Sequence, residues 1–284
     1  MLGCDPRGMD RLLNALSALG LLQKQDNGVC CLNEAGRFLS SRHPETILPM
    51  MLHFNGLWNG WSHLTDAVRT GGPAPRPHWE KDEPGRKAFI GAMHSIGLDL
   101  ALEIADAFDA SRFETLLDIG GASGTYTIAF LRKNPRLNAV LFDLAPVIQM
   151  ARERLQAEGL DDRVMLVAGD FYKGDLPAGC DLALLSAIIH QNSPAQNLDL
   201  YKEIYQSLAP GGSLLIRDHI MDASRTKPPT GALFALNMLL GTRGGDTYTF
   251  DEVKDALEKA GFTEVKWLRS GERMDSLVEA RKPG

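Results

Sequence analysis

The segment LLDIGGASG, residues 116–124, is the part of the sequence best suited to hold a ligand. Its apolar start predicts a strand, and its glycines predict a turn into a helix. Glycine lets the backbone approach a ligand closely, and a helix N-terminus offers free N–H groups. The spacing G-G-x-x-G differs from the G-x-G-x-x-G pattern of dinucleotide sites, although both turns can hold a ligand that contains adenosine. This turn alone leaves both kinds of site open.

Two acidic residues follow the next two predicted strands. Asp143 ends the strand at residues 139–142, and Asp170 with Phe171 ends the strand at residues 164–168. A carboxylate at the first position can accept both hydroxyls of a ribose, and a carboxylate and a ring at the second can lie beside adenine. As alternatives, Asp143 could cap the next helix and Asp170 could be an ordinary turn residue. Because open α/β sheets bind ligands at the carboxyl ends of their strands, the coincidence favours an adenosine site.

Short apolar strands alternate with helices in the second part of the chain. A helix over residues 86–108 precedes seven predicted strands, at residues 115–119, 139–142, 164–168, 182–186, 213–217, 263–268 and 276–280. Continuous apolar strands separated by helices are typical of a mostly parallel sheet that is covered on both faces. The fold class is therefore predicted to be a doubly wound α/β domain.

The N-terminal part has a mainly helical pattern. Apolar residues at three-and-four spacing predict an amphipathic helix over residues 6–22, and Asp26-Asn27-Gly28 predicts a tight two-residue hairpin turn within residues 23–32. Residues 44–70 are helical in character, and the Gly- and Pro-rich residues 71–77 predict a loop. A helix followed by such a hairpin is similar to part of a winged-helix unit.

Composition and charge limit the function. The chain has 284 residues and a formal charge of −6, which argues against nucleic acid as its main partner, because phosphate binding needs a basic surface. Its four cysteines have no C-x-x-C spacing, which favours a reducing compartment. No apolar run approaches the length that spans a bilayer, and no signal-peptide pattern begins the chain. We therefore expect a cytoplasmic protein without membrane contact.

Several motifs together resemble the class I S-adenosyl-L-methionine (SAM)-dependent O-methyltransferases of small molecules, which include caffeate, acetylserotonin and polyketide O-methyltransferases. The resemblance covers nearly the whole chain, and it depends on the glycine-rich segment, FDLAP at residues 142–146, GDFY at 169–172 and LAPGG at 208–212. It implies SAM as the cofactor, S-adenosyl-L-homocysteine (SAH) as its product, and no metal. The implied cofactor contacts are Asp118, Gly120, Gly121, Asp143, Leu144, Asp170, Phe171 and Ser186.

The same resemblance implies a domain organisation. A mainly helical, partial winged-helix domain for dimerisation and for covering the substrate would span residues 1–85, and a SAM-binding domain would span residues 86–284. We therefore expect a homodimer. In the family, some tens of helical residues precede the part that matches here, so we also expect that this chain starts within the winged helix.

His190 stands where the family carries the histidine of an H-D-W motif, at the predicted end of a strand. By resemblance this histidine takes the proton from the substrate hydroxyl. The chemistry fits, since a methyl group on a sulfonium needs no acid, only a nucleophilic oxygen, and imidazole titrates near neutral pH. Asp218 falls where the family often has an acid that orients the histidine. Taken alone, a histidine at this position favours a polar strand-end residue bonded to a backbone carbonyl or water.

The sequence departs from the family around this histidine. Gln191-Asn192 replace the family's Asp-Trp, and the second acid that often flanks the histidine falls on Thr247, with Asp246 one place out of register. Two other hypotheses therefore stay open. One is a SAM-binding relative that methylates nitrogen or carbon or does not methylate, and the other is a winged-helix regulator that binds DNA.

The acceptor is expected to be a small aromatic, phenolic or polyketide-like molecule. Methionine and aromatic side chains on the predicted helices could line its pocket, although such residues are more often core. The candidates are Phe54, Trp58, Met93, Phe234, Asn237 and Met238.

Overall fold

A computed structural model describes residues 3–73 and 83–284. Its helices are α1 (Pro6–Ala18), α2 (Leu48–Trp61), α3 (Leu64–Thr70), α4 (Glu83–Ala107), α5 (Thr125–Lys133), α6 (Ala145–Ala157), α7 (Pro194–Ser207), α8 (Pro229–Gly241) and α9 (Phe250–Ala260). Its strands are β1 (Leu22–Lys24), β2 (Cys30–Leu32), β3 (Thr115–Ile119), β4 (Asn138–Asp143), β5 (Val164–Ala168), β6 (Leu182–Ser186), β7 (Ser213–Asp218), β8 (Ile220–Met221), β9 (Tyr248–Thr249), β10 (Thr263–Arg269) and β11 (Ser276–Arg281).

The described residues form two compact units. One comprises residues 3–56 and 83–95, and the other comprises residues 57–73 and 96–284. Helices α2 and α4 each contribute residues to both units. The predicted domain boundary after residue 85 falls within α4, and it stays a prediction.

The first unit contains α1 and the β1–β2 hairpin. Asp5 caps α1 by accepting a hydrogen bond from the backbone N–H of Gly8 at 2.8 Å. The helix is shorter than predicted, because Gly20 adopts a left-handed conformation with φ of 73° and Leu22 already belongs to β1. The hairpin turn is also longer than the predicted two residues, since β1 ends at Lys24 and β2 begins at Cys30.

The helical segment predicted over residues 44–70 is divided in two. The backbone N–H of Ser62 still bonds to the residue four positions back, but that of His63 bonds to Gly60, three positions back. This tighter turn ends α2 before α3 begins. Gly71 then ends α3 in a left-handed conformation, with φ of 74°. Most of the loop predicted at residues 71–77 lies outside the described residues.

The second unit is built on a sheet of seven strands in the order β10-β11-β7-β6-β3-β4-β5. The five strands from β7 to β5 are parallel, and β10 and β11 are antiparallel additions at one edge. All seven predicted strands are present within two residues of their predicted limits. The prediction of a doubly wound, mostly parallel α/β sheet is therefore confirmed. The short parallel pair of β8 and β9 was not predicted.

Alternate residues of the central strands face two separate cores. Leu117 and Ile119 of β3 pack in a core that includes α7 and α9, whereas Leu116 packs in a core that includes α4 and α5. Residues Gly85–Ala107 of α4 are long and apolar enough to cross a membrane by length and composition alone, which corrects the expectation that no apolar run reaches that length. Ile104 and its neighbours, however, lie in the second core, as in a buried helix of a globular domain.

Candidate active site

The glycine-rich turn connects β3 to α5 with little room for side chains. Gly120 has φ of 70°, and its N–H donates to the carbonyl of Phe142 on β4 at 2.8 Å. A Cβ on Gly120 would lie 2.8 Å from Cδ1 of Ile188, and one on Gly121 would lie 2.9 Å from the carboxyl group of Asp118. Glycine at both positions therefore keeps the turn close to the ends of β3 and β4.

Asp118 lies beneath this turn and is 1% exposed. Its Oδ2 accepts a hydrogen bond from the hydroxyl of Thr127 at 2.5 Å, which ties β3 to α5. Burial, opposed by that hydrogen bond and aided by the nearby charge of Asp143, raises the pKa of Asp118 to about 6. This position suits a role in holding the turn, and a contact between Asp118 and the cofactor stays a prediction.

Asp143 ends β4 with both carboxylate oxygens oriented by the backbone. Oδ2 accepts from the N–H of Ala122 at 2.8 Å, and Oδ1 accepts from the N–H of Leu144 at 2.6 Å. Burial raises the pKa of Asp143, opposed by these two hydrogen bonds. Leu144 caps α6 and exposes half of its surface beside this carboxylate. The glycine turn and the predicted ribose-binding acid are therefore joined directly.

Asp170 lies in the turn that follows β5, two positions beyond the end of the strand. Its Oδ1 accepts from the N–H of Tyr172 at 3.0 Å. The ring of Phe171 lies 3.6 Å from the position that a Cβ on Gly120 would take. The carboxyl ends of β3, β4 and β5 thus bring together the glycine turn, Asp143 and Phe171.

His190 lies in a 3-10 turn, Ile189–Gln191, and not at the end of the preceding strand, since β6 ends at Ser186. Its Nδ1 lies 2.9 Å from Oδ1 and 3.0 Å from Oδ2 of Asp218. The His190 side chain is 12% exposed and that of Asp218 is fully buried. Burial alone would raise the pKa of Asp218, but His190, Arg217 and the N–H of His219 outweigh it and hold this pKa below its usual value.

Asp246, the second acid considered as a partner of His190, pairs with an arginine instead. Asp246 pairs with Arg225 at 3.2 Å, and its side chain is 47% exposed. Thr247 is buried, and its carbonyl accepts a hydrogen bond from Arg225 at 2.7 Å. Asp218 is therefore the carboxylate that contacts His190 in the described residues.

Helix α8 lies beside the histidine. The Phe234 ring meets the His190 ring edge to face at 4.8 Å between centroids, and it lies 5.2 Å from the ring of His219. Asn237 follows one helical turn after Phe234 and lies on the same side of α8. Burial lowers the pKa of His219 to about 4, and within the part of the chain that the structure describes its Nδ1 has no hydrogen-bond partner.

The other predicted pocket residues are divided between the two units. Phe54 and Met93 belong to the first unit, whereas Trp58, Asn237 and Met238 belong to the second. Trp58 is 76% exposed and Met238 is buried. A shared pocket for these residues stays a prediction.

A network around Asn192 was not predicted. Its Oδ1 accepts a hydrogen bond from the hydroxyl of Tyr172, its carbonyl accepts one from the hydroxyl of Tyr248, and its Nδ2 donates to Asn197 at 2.9 Å. Asn197 in turn donates to the carbonyl of Ile189 at 2.9 Å. These bonds connect the turn after β5 to the turn that carries His190. The replacement of the family's Trp by Asn at this position was the only sequence signal.

A second unpredicted cluster joins the ends of β6 and β7. Ser186 and Arg217 are paired across these strands, and both side chains hydrogen-bond to Tyr126 of α5. Burial, opposed by the charge of Arg217, raises the pKa of Tyr126. Tyr126 therefore keeps its proton at neutral pH.

Comparison with known proteins gives consistent matches. A family model described as an O-methyltransferase domain matches residues 61–263. The 3-hydroxy-5-methyl-1-naphthoate 3-O-methyltransferase of Streptomyces sahachiroi is 32% identical over 276 residues, which cover 94% of this chain and 79% of that protein. The structure of PigF with SAH has a TM-score of 0.86 at 26% identity, and covers 98% of this chain and 86% of PigF. The structure of N,N-8-amino-8-demethyl-D-riboflavin dimethyltransferase from Streptomyces davawensis has a TM-score of 0.81 at 28% identity. The match covers 99% of this chain and 86% of that protein.

Proposed function

Because the chain belongs to the SAM-dependent O-methyltransferase family, we propose that it methylates a hydroxyl of a small aromatic or polyketide-like molecule, with His190 as the general base. The observation that carries the proposal is the pairing of His190 with the buried Asp218 at the same sheet edge as the glycine turn and Asp143.

The residues present fit the cofactor. Each carboxylate oxygen of Asp143 receives one backbone N–H bond, which leaves each with capacity to accept a ribose hydroxyl. Gly120 and Gly121 let the turn pack closely on the strand ends, where its backbone would face the cofactor, and Leu144 and Phe171 would provide apolar surface beside adenosine. Asp118, Asp170 and Ser186 complete the proposed set. When bound, SAM supplies a methyl group activated by a sulfonium.

The histidine and its acid perform the proton chemistry. Asp218 accepts the Nδ1–H bond, so Nε2 carries the lone pair that takes the proton from the acceptor hydroxyl. The buried carboxylate then stabilises the imidazolium that forms, as the acid of a catalytic triad does. Such a base contributes about 10² to 10⁴ in rate.

The acceptor site is proposed from its apolar surroundings. Phe234 and Asn237 lie on the side of α8 that faces His190, and an amide there suits an orienting contact with a polar substituent. Phe54, Trp58, Met93 and Met238 stay candidates for the remaining wall. The S. sahachiroi relative is described as acting on a hydroxylated naphthoate, and a planar aromatic acceptor of this kind is proposed here.

The organisation expected from the sequence forms part of the proposal. It comprises a winged-helix dimerisation domain over residues 1–85, a SAM-binding domain over residues 86–284, a homodimer and a cytoplasmic location. Size-exclusion chromatography with light scattering tests the homodimer, and a monomeric mass would contradict it.

Mass spectrometry tests the central proposal. The protein is incubated with SAM and a panel of phenols and hydroxylated polyketides, and the gain of one methyl group is sought. His190→Ala should lower kcat by about 10² to 10⁴ and leave the Kd for SAH unchanged. His63→Ala, at an exposed histidine, is the matched control. Full activity of His190→Ala would contradict the general-base role.

Methylation of nitrogen is the second candidate. It is favoured by the similarity to a dimethyltransferase of an amino-riboflavin and by Gln191-Asn192 in place of the family's Asp-Trp. Paired phenol and aniline acceptors of the same skeleton distinguish the two reactions. Turnover of the aniline alone, independent of His190, would replace the hydroxyl proposal.

A further inference from the structure

Arg217 carries a charge into the interior and forms no ion pair with a carboxylate in the described part of the chain. The residue is 5% exposed, its Nη1 donates to the Tyr126 hydroxyl at 2.8 Å, and its Nε has no hydrogen-bond partner among the described residues. Across residues 3–73 and 83–284, the ion pairs within 4.0 Å do not include Arg217. The charge of Asp218, the next residue, lies near that of Arg217, but this carboxylate bonds to His190, which leaves the guanidinium with donors for an anion supplied by a ligand.

The two neighbouring residues of β7 face opposite sides of the sheet. Asp218 bonds to His190 on one side, and Arg217 reaches Tyr126 of α5 on the other, where its Cζ lies 4.8 Å from the ring centroid. Tyr126 is the second residue of α5, directly after the glycine turn. Arg217 is therefore separated from the base but adjacent to the turn proposed to hold the cofactor.

Strand order places this cluster along the cofactor. The parallel strands follow one another as β7-β6-β3-β4-β5. Under the proposed function, adenine lies at the end of β5 beside Phe171 and ribose at the end of β4 beside Asp143. A ligand that continues in the same direction passes the end of β3 and reaches the ends of β6 and β7, where Ser186 and Arg217 lie.

We propose that Arg217, positioned by Tyr126 and Ser186, binds the carboxylate at the methionyl end of SAM and SAH. A guanidinium has the planar, forked donors that suit a carboxylate, and a buried site strengthens such a bond. The inference rests on the proposed function, because it requires SAM binding at this sheet edge.

Isothermal titration calorimetry with two ligands tests the proposal. SAH carries the carboxylate, whereas 5′-methylthioadenosine has the same adenosine and sulfur without it. Arg217→Met should raise the Kd for SAH by about 10- to 100-fold and leave the Kd for methylthioadenosine unchanged. Arg217→Lys keeps the charge without the forked donors, so its Kd for SAH should lie between those of the unmodified protein and Arg217→Met. Arg69→Met, at an exposed arginine, is the control.

The other outcomes overturn the proposal. An equal loss for both ligands would mean that Arg217 only supports the fold, and unchanged binding of both would mean that it contacts neither. If SAH binding were unchanged and KM rose only for acceptors that carry a carboxylate, the anion would belong to the acceptor. Failure of the unmodified protein to bind SAH would instead contradict the proposed function, which is a separable result. Thermal unfolding without ligand identifies misfolded variants. If Arg217→Met is misfolded, the SAH and methylthioadenosine affinities of Arg217→Lys are compared with those of the unmodified protein.

Discussion

Nδ1 of His190 lies 2.9 Å from Oδ1 and 3.0 Å from Oδ2 of Asp218, so one imidazole nitrogen faces both oxygens of a fully buried carboxylate. Oδ1 of Asp218 also accepts the N–H of His219 at 2.8 Å, which limits rotation of the carboxylate. A carboxylate can only accept, so it selects the tautomer with a proton on Nδ1. The histidine is thereby oriented by the protein itself, independently of an acceptor.

Replacement of Asp218 by Asn tests this orientation. The amide can donate to Nδ1 and select the wrong tautomer, and it cannot stabilise an imidazolium. We expect kcat to fall by about 10² to 10⁴ with no change in the Kd for SAH, measured by steady-state kinetics and calorimetry. Asp246→Asn is the matched control, because this acid pairs with Arg225. Equal losses in the two variants would contradict the assignment of Asp218.

Replacement of Asp143 by Asn tests the ribose site. The amide places an NH₂ group opposite the N–H of Ala122 or Leu144, and it removes the charge that strengthens bonds from ribose hydroxyls. We expect the Kd for SAH to rise by about 10- to 100-fold, measured by calorimetry. Asp199→Asn, at a side chain that is 75% exposed, should leave the Kd unchanged. Unaltered SAH binding by a folded Asp143→Asn protein would remove this residue from the site.

The sequence identified the sheet because its strands are continuous apolar runs bounded by turn residues. The ends of the N-terminal helices were less predictable. Those of α1 and α2 depend on the backbone conformations at Gly20 and His63, and the sequence there is compatible with a helix that continues as well as with one that ends. The pair of β8 and β9 was not predicted, because a strand of two residues is too short to show a periodic pattern.

Among the candidate site residues, the sequence points to those that stand within a motif. Asp143 and Asp218 end strands as expected, and their hydrogen-bond partners lie nearby in the sequence or on the adjoining turn. Arg217, which we propose as a cofactor contact, was not predicted because it lies within an apolar strand, where nothing in the sequence distinguishes a ligand contact from a charge paired elsewhere. Asn192 was missed because its partners Tyr172 and Tyr248 are distant in sequence, and only the fold brings them together.

The network around Asn192 is expected to couple the cofactor turn to the base. Tyr172→Phe removes the hydroxyl that donates to Asn192 and keeps the ring. We expect Tyr172→Phe and Asn192→Ala each to lower kcat. In the double variant, the increase in activation free energy should be about 1 kcal/mol smaller than the sum of the two single increases, because both variants remove the same Tyr172–Asn192 hydrogen bond. Tyr205→Phe, whose ring packs on Phe262, is the control. Additive effects on kcat would show that the two residues act independently.

His219 is expected to make the fold sensitive to mild acid. Burial lowers the pKa of His219 to about 4, whereas an unfolded histidine titrates near 6.5. Between these values the unfolded chain binds more protons, so stability is complete above about pH 6.5 and is lost as the pH falls toward 4. The loss is about 1.4 kcal/mol for each pH unit within this window.

His219→Phe removes this titration and keeps a ring beside Phe234. From about pH 7 to about pH 5, the free energy of unfolding of the unmodified protein should fall by about 2 kcal/mol more than that of His219→Phe, measured by urea titration with circular dichroism. Asp118 contributes with the opposite sign, because its raised pKa, about 6, favours the folded state as the pH falls, but this contribution is common to both proteins and cancels in the difference. His63→Phe, at an exposed position, should keep the full pH dependence. An identical slope for His219→Phe and the unmodified protein would mean that His219 is not held neutral by burial.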